Sequence, residues 1–534
     1  MPPALATARG DNLPTPVQSE KLRKWLEGYG PDLTNRLVIG FRDGFDVGYK
    51  GSLANVKPKN LKSALDNPMV VDDKINKELS FQRLLGPFKQ PPFSTFRVSP
   101  LGLVPKKDKG KFRMIHHLSY PEGSSINDGI PAERTQVVYQ TIDDAVQYMQ
   151  ALGRGCFMAK TDIADAFRII PLHPNQYHLF GIQWRDLYFF DRCLPMGCSA
   201  SCQLFETLGT ALHWVATEKL SLKQMVHVLD DFLILDKSPE QCSQGLTAFL
   251  AMCQEVGVPI SPEKTFPAAT VMVFLGYELD SERMEIRLPL DKLAKCQTAI
   301  QACLRKQKVQ LRDLQSIIGT LNFACGAVVP GRAFLRRLIN LTMGVSKPHF
   351  YVRVTEQVRD DLRLWLTFLA QYNGRSLLLA NRWLTSPMVN LHTDASGTLG
   401  FGAVFGQQWF YGSWNEEWKG QGITLLEFYP ILLAVKMWAQ EFANQCICLH
   451  TDNEALVHII NKQTSKDKQV LHLVRELVLT CLYNNILFQA QHVPGKANNL
   501  ADALSRLQVV KFRELFPQAN PQPIPVPPLP KLPH

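Results

Sequence analysis

The sequence predicts a multidomain chain that combines α/β and α+β architecture, and three observations support this. The chain has 534 residues, 46% of them hydrophobic, which is enough for several cores of ordinary size. Short apolar runs that end in aspartate occur in two separate stretches of the chain. Between these stretches, apolar residues recur with helical spacing over residues 285–383, so strand-containing domains are expected on either side of a helical one.

Residues 1–75 are predicted to form an irregular N-terminal extension with one helix from Ser19 to Glu27, packed peripherally on the domain that follows. The first residues lack the apolar core of a signal peptide, and no apolar run reaches the roughly 18 residues of a membrane span. The 12 cysteines show no zinc-binding spacing, which is typical of free thiols in a reducing compartment. We therefore expect an intracellular protein, cytoplasmic or nuclear, without a membrane partner. The net charge of +10 agrees with a polyanionic partner but does not require one.

A hairpin with a cationic tip is predicted between Leu101 and Ser119, where two apolar strands flank a turn that ends at Gly110. Its basic residues are Lys106, Lys107, Lys109, Lys111 and Arg113. Such charges commonly keep an exposed strand edge soluble. They would equally suit a phosphate-binding surface, and the composition of the hairpin leaves both interpretations open.

Three aspartates follow apolar runs in the next part of the chain. Asp162 ends one run and precedes Phe167, whereas Asp230 and Asp231 stand between two runs, the pattern of a β-hairpin with both acids at its tip. Adjacent side chains on a regular strand face opposite ways, so both acids serve one site only if the backbone turns between them. Three carboxylates this close suit two Mg²⁺ ions roughly 4 Å apart. The alternatives are a solvated hairpin tip, a helix cap at Asp162 and a core position for Phe167.

These segments, with Leu194-Pro195-Met196-Gly197 between them, resemble the palm motifs of reverse transcriptases in the same order. The resemblance implies a right-hand polymerase, with fingers and palm at 76–284 and a helical thumb and connection at 285–383. It implies two Mg²⁺ ions per active site, or Mn²⁺, held by Asp162, Asp230 and Asp231. The implied partners are an RNA template, a DNA primer and dNTPs, and the implied reaction is two-metal nucleotidyl transfer.

By this resemblance, five residues bind the incoming nucleotide or its leaving pyrophosphate: Lys106, Arg113, Phe167, Gly197 and Lys264. The implied primer-binding residues are Phe274, Leu275, Gly276 and Tyr277. Phe167 would exclude a ribose 2′-hydroxyl, which argues against an RNA polymerase with a similar palm. Two positions depart from the family, because Met196 stands where retroviral members have Gln and Val228 where many members have Tyr. These departures leave a side-chain contact and the primer contacts open.

The stretch 321–338 is basic and amphipathic. This composition suits either a helix on a nucleic-acid backbone or a packed helix with a solvated edge. The stretch and the N-terminal extension resemble the DIRS-like, tyrosine-recombinase group of retrotransposons. The sequence shows no protease motif, zinc knuckle or recombinase region, so other element-encoded proteins would supply those functions.

A second set of acids lies in residues 384–510. The tetrapeptide Leu-His-Thr-Asp ends two predicted strands, at Asp394 and Asp452, so that these carboxylates could lie side by side on a central sheet. Glu427 lies between them on an apolar predicted helix, and Asp502 lies in a short helix after a flexible loop. An alternative for Glu427 is a capping box with Thr424, in which its side chain bonds only backbone.

This order of acids closely resembles the active site of ribonuclease H. The resemblance implies hydrolysis of RNA in an RNA–DNA hybrid, two metal ions on Asp394, Glu427, Asp452 and Asp502, and a proton shuttle at His492. A surface histidine is the alternative for His492. Residues 511–534 form a Pro-rich tail, which predicts disorder with a polyproline II bias.

The sequence therefore predicts a retrotransposon reverse transcriptase fused to ribonuclease H. A function of another class stays open, namely a host-adopted, catalytically silent scaffold that binds nucleic acid. The expected signature of such a scaffold is a missing acid in one of the two sites. All seven acids are present.

Overall fold

The structure of the chain is a computed structural model that describes residues 13–106, 110–371, 373–376, 383–385, 391–443, 445–492 and 498–532. The chain divides into two compact units, Met1–Leu275 and Gly276–His534. This division lies before residue 284, the predicted end of the fingers and palm. Within the second unit, Glu285–Arg287 pairs with Arg375–Ser376.

The first unit combines helices with several small sheets. Its α-helices are α1 Ser19–Trp25, α2 Pro31–Asp43, α3 Lys62–Leu65, α4 Pro68–Ser80, α5 Ile142–Leu152, α6 Ser201–Glu218 and α7 Pro239–Val256. Its strands are β1 Leu84–Phe88, β2 Leu101–Pro105, β3 Phe112–His116, β4 Phe157–Asp162, β5 Gly181–Trp184, β6 Leu187–Asp191, β7 Met225–Val228, β8 Asp231–Asp236, β9 Phe266–Ala269 and β10 Val271–Phe274. Short 3₁₀ helices occupy Asn127–Gly129, Ala132–Arg134, Ala166–Ile169, Pro174–Leu179 and Pro262–Lys264.

The N-terminal extension is part of the main core of this unit. Leu22 and Phe41 lie in the same buried hydrophobic cluster as Phe205 and Phe232. Phe45 also exchanges backbone hydrogen bonds with the segment after β4, since its N–H donates to the carbonyl of Pro171 at 2.8 Å. The extension therefore packs on the rest of this unit, and these residues are buried in its core. The predicted helix is present as α1.

The palm sheet has four antiparallel strands in the order β7–β8–β4–β9. Strands β7 and β8 form the predicted hairpin, and Val228 pairs with Asp231, so the turn consists of Leu229 and Asp230. Strand β4 lies on the other side of β8, with Asp162 directly opposite Asp231. Helices α6 and α7 pack on this sheet. Separately, β2 and β3 form the predicted fingers hairpin.

The second unit contains the predicted helical stretch followed by two further sheets. Its α-helices are α8 Leu290–Leu304, α9 Leu311–Ala324, α10 Arg336–Asn340, α11 Glu356–Gln371, α12 Ile423–Met437, α13 Glu454–Lys462, α14 Lys468–Tyr483, α15 Asn499–Ser505 and α16 Val509–Leu515, with a 3₁₀ helix at Val329–Phe334. Its strands are β11 Tyr277–Asp280, β12 Glu285–Arg287, β13 Lys308–Gln310, β14 Tyr351–Arg353, β15 Arg375–Ser376, β16 Trp383–Thr385, β17 Leu391–Ala395, β18 Gly400–Phe405, β19 Gln408–Ser413, β20 Cys446–Thr451 and β21 Leu487–His492.

The strands that carry Asp394 and Asp452 lie in different sheets. Strand β17 belongs to the antiparallel sheet β17–β18–β19, whereas β20 pairs in parallel with β16 and β21. Within the described residues, β16 and not β17 is therefore the neighbour of β20. Side-by-side pairing of the two Leu-His-Thr-Asp strands, which the sequence suggested, is not seen.

The basic stretch 321–338 is not one continuous helix. Helix α9 ends at Ala324, and the 3₁₀ helix and α10 follow with a change of direction. Phe334 is fully buried, and the Arg475 guanidinium lies 4.3 Å from the centre of its ring. Arg337 donates to Asp361, which is also fully buried. These contacts favour the packed alternative over a helix that lies on nucleic acid.

The Pro-rich tail is docked on the second unit as far as residue 532, so the prediction of a disordered tail is wrong for the described residues. The indole N–H of Trp409 donates to the carbonyl of Asn520, and that of Trp418 donates to the carbonyl of Pro530, both at 2.9 Å. Proline lacks an N–H but keeps its carbonyl, so a tail of this composition needs external donors. The tryptophans of this unit supply them. Within the described part of the chain, no helix is both long and apolar enough to cross a bilayer.

Candidate functional site

The tight turn of the hairpin β7–β8 places Asp230 directly before Asp231, which lies opposite Asp162 on β4. Leu229, the first turn residue, has φ +53°, a left-handed conformation that costs a non-glycine residue roughly 1–2 kcal/mol. The backbone N–H of Ile163 donates to the carbonyl of Asp230 at 2.9 Å, which ties the turn to the end of β4. The predicted juxtaposition of Asp162 with the hairpin acids is therefore present.

Lys264 is the cation nearest to Asp162. Its ammonium group lies 2.8 Å from both carboxylate oxygens of Asp162. Burial raises the pKa of Asp162, the bond from Lys264 opposes this rise, and the negative charge of Asp231 adds to it. Asp231 has its own cation, since Lys160 Nζ lies 3.5 Å from its carboxylate. The three acids are thus crowded, partly desolvated and compensated by lysines.

This donor set suits divalent cations chemically. Within the described residues, no group of three or more His, Cys, Asp or Glu side chains is arranged to hold a metal ion as the side chains stand. The ammonium group of Lys264 instead contacts both carboxylate oxygens of Asp162, where a metal ion would bind. Three carboxylate side chains at one strand end, two of them with raised pKa values, are oxygen ligands of the kind Mg²⁺ prefers.

Burial and the charges of Asp162 and Asp231 raise the pKa of Asp230 from 3.8 to about 6. A carboxyl group whose pKa is higher in the folded state than in the unfolded state destabilises the protein fully above its folded-state pKa. The effect decreases as the pH falls and is absent below the unfolded-state pKa. In EDTA at pH 7.5, Asp230→Asn should therefore raise the free energy of unfolding by roughly 1–3 kcal/mol. The gain should fade as the pH falls towards 4.

Urea denaturation at a series of pH values measures this gain. The matched control is Glu255→Gln, an exposed acid on α7, which should stay within about 0.5 kcal/mol of wild type. A destabilised Asp230→Asn protein at pH 7.5 would contradict the described crowding of the three carboxylates.

A cleft of about 360 Å³ is lined by Asp162 and Asp230, and several basic residues line it as well. Lys106 and Arg113 line it, as the resemblance implied, and Lys74 and Lys77 of α4 join them. Burial lowers the pKa of Lys106, and the nearby charges of Lys74 and Arg113 lower it further. An anionic ligand would relieve this repulsion. Lys107 and Lys109 lie outside the described residues.

Gly197 is not among the residues that line the cleft. Its φ is +119°, and a Cβ there would lie 2.2 Å from the backbone oxygen of His116. The glycine is therefore required by its close approach to β3. Pro195 and Met196 line the cleft instead.

A buried arginine that sequence analysis missed supports this loop. Arg168 donates to Asp191 at 2.7 Å and to Glu78 at 2.8 Å, and it also donates to the carbonyls of Cys193 and Leu194. It lies directly after Phe167 in a segment that otherwise looks apolar. A charged residue inside an apolar run was the available signal.

The aromatic residues assigned to sugar selection and primer binding are largely buried. Phe167 is half-buried, packs edge-on against Phe205 at 5.9 Å and is not among the residues that line the cleft. Phe274 is fully buried. Tyr277 is also buried, and its hydroxyl donates to the carbonyl of Phe323 at 2.6 Å. A primer contact in this segment would therefore fall to Leu275 and Gly276, which are partly exposed.

The second set of acids is assembled in the other unit. Asp394 lies on β17, Asp452 directly follows β20, and Asp502 lies in the first turn of α15. Burial raises the pKa of Asp394, the hydroxyl of Ser505 opposes this rise with a 2.5 Å hydrogen bond, and the charges of Asp502 and Asp452 add to it. The acids are thus close enough to interact although their strands belong to separate sheets.

Glu427 completes this set, and the capping-box alternative is wrong. Helix α12 begins after Gly422, its cap has no side-chain hydrogen bond, and Pro430 is accommodated inside the helix. Oε2 of Glu427 is buried and has no hydrogen-bond partner among the described residues. Burial raises the pKa of this carboxyl group, and Asp452 and Asp394 raise it further, against a bond from Asn453. A buried, unpartnered carboxylate oxygen beside other acids fits a cation ligand.

His492 is the last residue of β21 and pairs with Thr451, the residue before Asp452. Its side chain is exposed. The loop that follows, residues 493–497, lies outside the described residues. The position is compatible with both the proton shuttle and the surface histidine.

Comparison with known proteins decides the identity of the first site. Residues 104–279, which include the fingers hairpin and all three palm aspartates, match the family described as "Reverse transcriptase (RNA-dependent DNA polymerase)". This segment is a reverse transcriptase domain. The match ends close to the boundary between the two units.

The relatives of this reverse transcriptase domain are of retroviral and retroelement type. The chain is 27% identical over 260 residues to the Gag-Pro-Pol polyprotein of Mason-Pfizer monkey virus, covering 46% of this chain and 12% of that protein. It is 27% identical over 242 residues to Protein P of Duck hepatitis B virus, covering 45% of this chain and 29% of that protein. The chain thus spans less than a third of each relative.

Solved structures share the fold of the chain. The foamy viral protease-reverse transcriptase dRH in complex with double-stranded DNA has a TM-score of 0.51 and 14% identity, covering 89% of this chain and 82% of that one. The foamy viral protease-reverse transcriptase in complex with RNA/DNA hybrid gives the same TM-score and identity, covering 90% and 64%. The predicted multidomain polymerase fold, which mixes α/β and α+β parts, is confirmed.

Proposed function

We propose that this chain is an RNA-directed DNA polymerase with ribonuclease H activity, encoded by a retrotransposon of the DIRS-like group. The observation that carries the polymerase activity is the convergence of Asp162, Asp230 and Asp231 in a reverse transcriptase domain, where Asp162 and Asp230 line a cleft together with basic residues. The DIRS-like assignment rests on the sequence resemblance of the N-terminal extension and the stretch 321–338. Template RNA, primer DNA and dNTPs are the proposed partners.

In this proposal each wall of the cleft has its own task. Lys106 and Arg113 bind the triphosphate, assisted by Lys74 and Lys77, because these four cations line the same cleft. Asp162, Asp230 and Asp231 hold two Mg²⁺ ions, or Mn²⁺. When bound, these ions favour the ionised primer 3′-hydroxyl and neutralise the leaving pyrophosphate. Lys264 is released from Asp162 and faces the pyrophosphate.

The proposed nuclease site is in the second unit. Asp394, Glu427, Asp452 and Asp502 supply the carboxylate oxygens, and the unpartnered Oε2 of Glu427 is the observation that carries this part. Its substrate is the RNA strand of an RNA–DNA hybrid. His492 moves a proton to or from the reacting groups. Bound divalent ions would supply an activated water at neutral pH.

Primer extension on poly(rA)/oligo(dT) with Mg²⁺ tests the polymerase activity most directly. We expect incorporation of dTTP that EDTA abolishes. A folded chain that binds the primer–template but adds no nucleotide would instead indicate the catalytically silent scaffold.

Sugar selection gives a second test of this assignment. Phe167→Val should raise ribonucleotide incorporation at least about tenfold relative to dNTP, because a smaller side chain leaves room for the 2′-hydroxyl. The ratio of kcat/KM for dNTP and rNTP measures it. Phe205→Leu is the matched control, since it removes the ring that packs on Phe167 and leaves Phe167 itself unchanged. Equal discrimination in Phe167→Val and wild type would leave Phe167 with a packing role only.

A further inference from the structure

Helix α6 presents a line of unusual residues to the catalytic hairpin. Glu206, Gly209 and His213 are spaced three and four residues apart, so they share one face of the helix. This face packs on β7, the strand that leads into the Leu229–Asp230 turn. Glu206 is only 8% exposed, and a carboxylate this deeply buried normally has a partner.

The partner of Glu206 is the strained turn. Its Oε2 accepts a hydrogen bond from the backbone N–H of Leu229 at 3.1 Å. Leu229 is the residue with φ +53°, directly before Asp230. The turn has no glycine to relax this conformation, so an ionic acceptor for its N–H stabilises the backbone where Asp230 is oriented.

Two histidines hold Glu206 in place. Nε2 of His227 lies 3.2 Å from Oε1 of Glu206, a contact whose angle falls short of a formal hydrogen bond. Nδ1 of His227 lies 2.8 Å from Nδ1 of His213. A continuous line of contacts thus runs from His213 through His227 and Glu206 to the backbone N–H of Leu229.

Gly209 sets the distance between helix and hairpin. A Cβ at this position would lie 3.2 Å from the His227 ring and 3.4 Å from the carbonyl oxygen of Leu229. Both are tight contacts, so a side chain here would push the hairpin away by a few tenths of an ångström. The glycine lets Glu206 reach the turn.

We propose that Glu206 is a positioning residue for DNA synthesis, acting through the Leu229 N–H to hold the turn so that Asp230 faces Asp162. Nothing in Glu206 touches the reacting atoms. The inference rests on the proposed polymerase function and goes beyond it, because it assigns a role to a residue outside the cleft.

The test compares Glu206→Ala, Glu206→Gln and wild type in steady-state primer extension. We expect Glu206→Ala to lower kcat at least tenfold with an unchanged KM for dTTP, because the triphosphate wall is untouched. Glu206→Gln keeps an oxygen acceptor for the Leu229 N–H and should recover most of this loss. Glu218→Ala, an exposed acid on the same helix, is the matched control. Hydrogen–deuterium exchange should show faster exchange in the peptide that contains the turn in Glu206→Ala only.

Wild-type kcat in a folded Glu206→Ala protein would overturn the inference, as would a loss that Glu206→Gln does not recover. If Glu206→Ala does not fold, Gly209→Ala decides, since it should lower kcat while leaving the KM for dTTP unchanged. A wild-type kcat in Gly209→Ala would then refute the role. Absence of extension by the wild-type chain would refute the proposed polymerase instead, so the two failures are distinguishable.

Discussion

Asp230→Asn should lower the rate of primer extension by about three orders of magnitude, equivalent to roughly 4 kcal/mol of transition-state stabilisation. The carboxylate lies at the turn beside β4, where it faces Asp162 and lines the cleft. An amide of the same shape keeps the packing but removes one of the negative charges that divalent cations need. The loss should therefore appear in kcat, while hybrid cleavage by the second unit is unchanged.

Single-turnover extension with saturating dTTP measures this effect on the purified variant. Asp236→Asn is the matched control, because Asp236 lies at the far end of β8, the strand that begins directly after Asp230. The same Asp230→Asn protein should be more stable than wild type in EDTA, so a folding defect cannot explain its inactivity. Extension at the wild-type rate would remove Asp230 from the proposed metal site.

Asp394→Asn should lower the rate of RNA–DNA hybrid cleavage by about three orders of magnitude, while extension on a DNA template persists. Asp394 is half-buried, and burial, Asp502 and Asp452 raise its pKa, so its negative charge favours a neutralising cation. Loss of this carboxylate removes one of the four proposed ligands of the metal ions. The two activities should separate because the two sets of acids belong to different units of the chain.

A labelled-RNA hybrid assay beside primer extension on the same preparation tests this separation. Asp360→Asn, a surface acid on α11, is the matched control. If Asp394→Asn cuts the hybrid as fast as wild type, with contaminating nuclease excluded, the second unit is not the proposed nuclease.

His492→Ala should have a milder effect on cleavage, about 10- to 100-fold, since water can replace an exposed proton shuttle in part. The KM for the metal should not change. Wild-type cleavage by this variant would leave His492 as a surface histidine.

Sequence patterns predicted the parts of the fold whose signal is local. The hairpin around Asp230 and the strand before Asp162 each combine a short apolar run with an acid, and both are present with the register that brings Asp162 opposite Asp231. The fingers hairpin was equally visible, because a basic turn separates two apolar strands. In these segments the spacing of the apolar residues and the type of the turn residues both indicate strands joined by turns.

Features that depend on contacts between distant segments could not be predicted in this way. Gly197 was assigned to a ligand, but its conformation is required by the backbone of His116, which is remote in sequence. Leu22 and Phe41 looked like parts of a separate extension, because nothing local shows that the palm core lacks apolar surface without them. Arg168 and Glu206 were missed for the same reason, since each is meaningful only beside partners from other elements.

The prediction of a disordered tail is wrong because it considers only the composition of the tail and not the surface that binds it. A Pro-rich segment cannot form its own core, but it offers regularly spaced carbonyls. The donors are the indoles of Trp409 and Trp418. Neither tryptophan is near the tail in sequence, so composition alone predicted disorder.

The docking of this tail gives the protein an intrinsic optical reporter. Trp418 is buried and stacks on Trp414, with ring centres 5.4 Å apart and planes within 4° of parallel. Release of the tail would hydrate the Trp418 indole N–H that now donates to Pro530, and its fluorescence emission would shift to longer wavelength. The emission spectrum would therefore follow detachment of the C-terminal segment in real time, without a label.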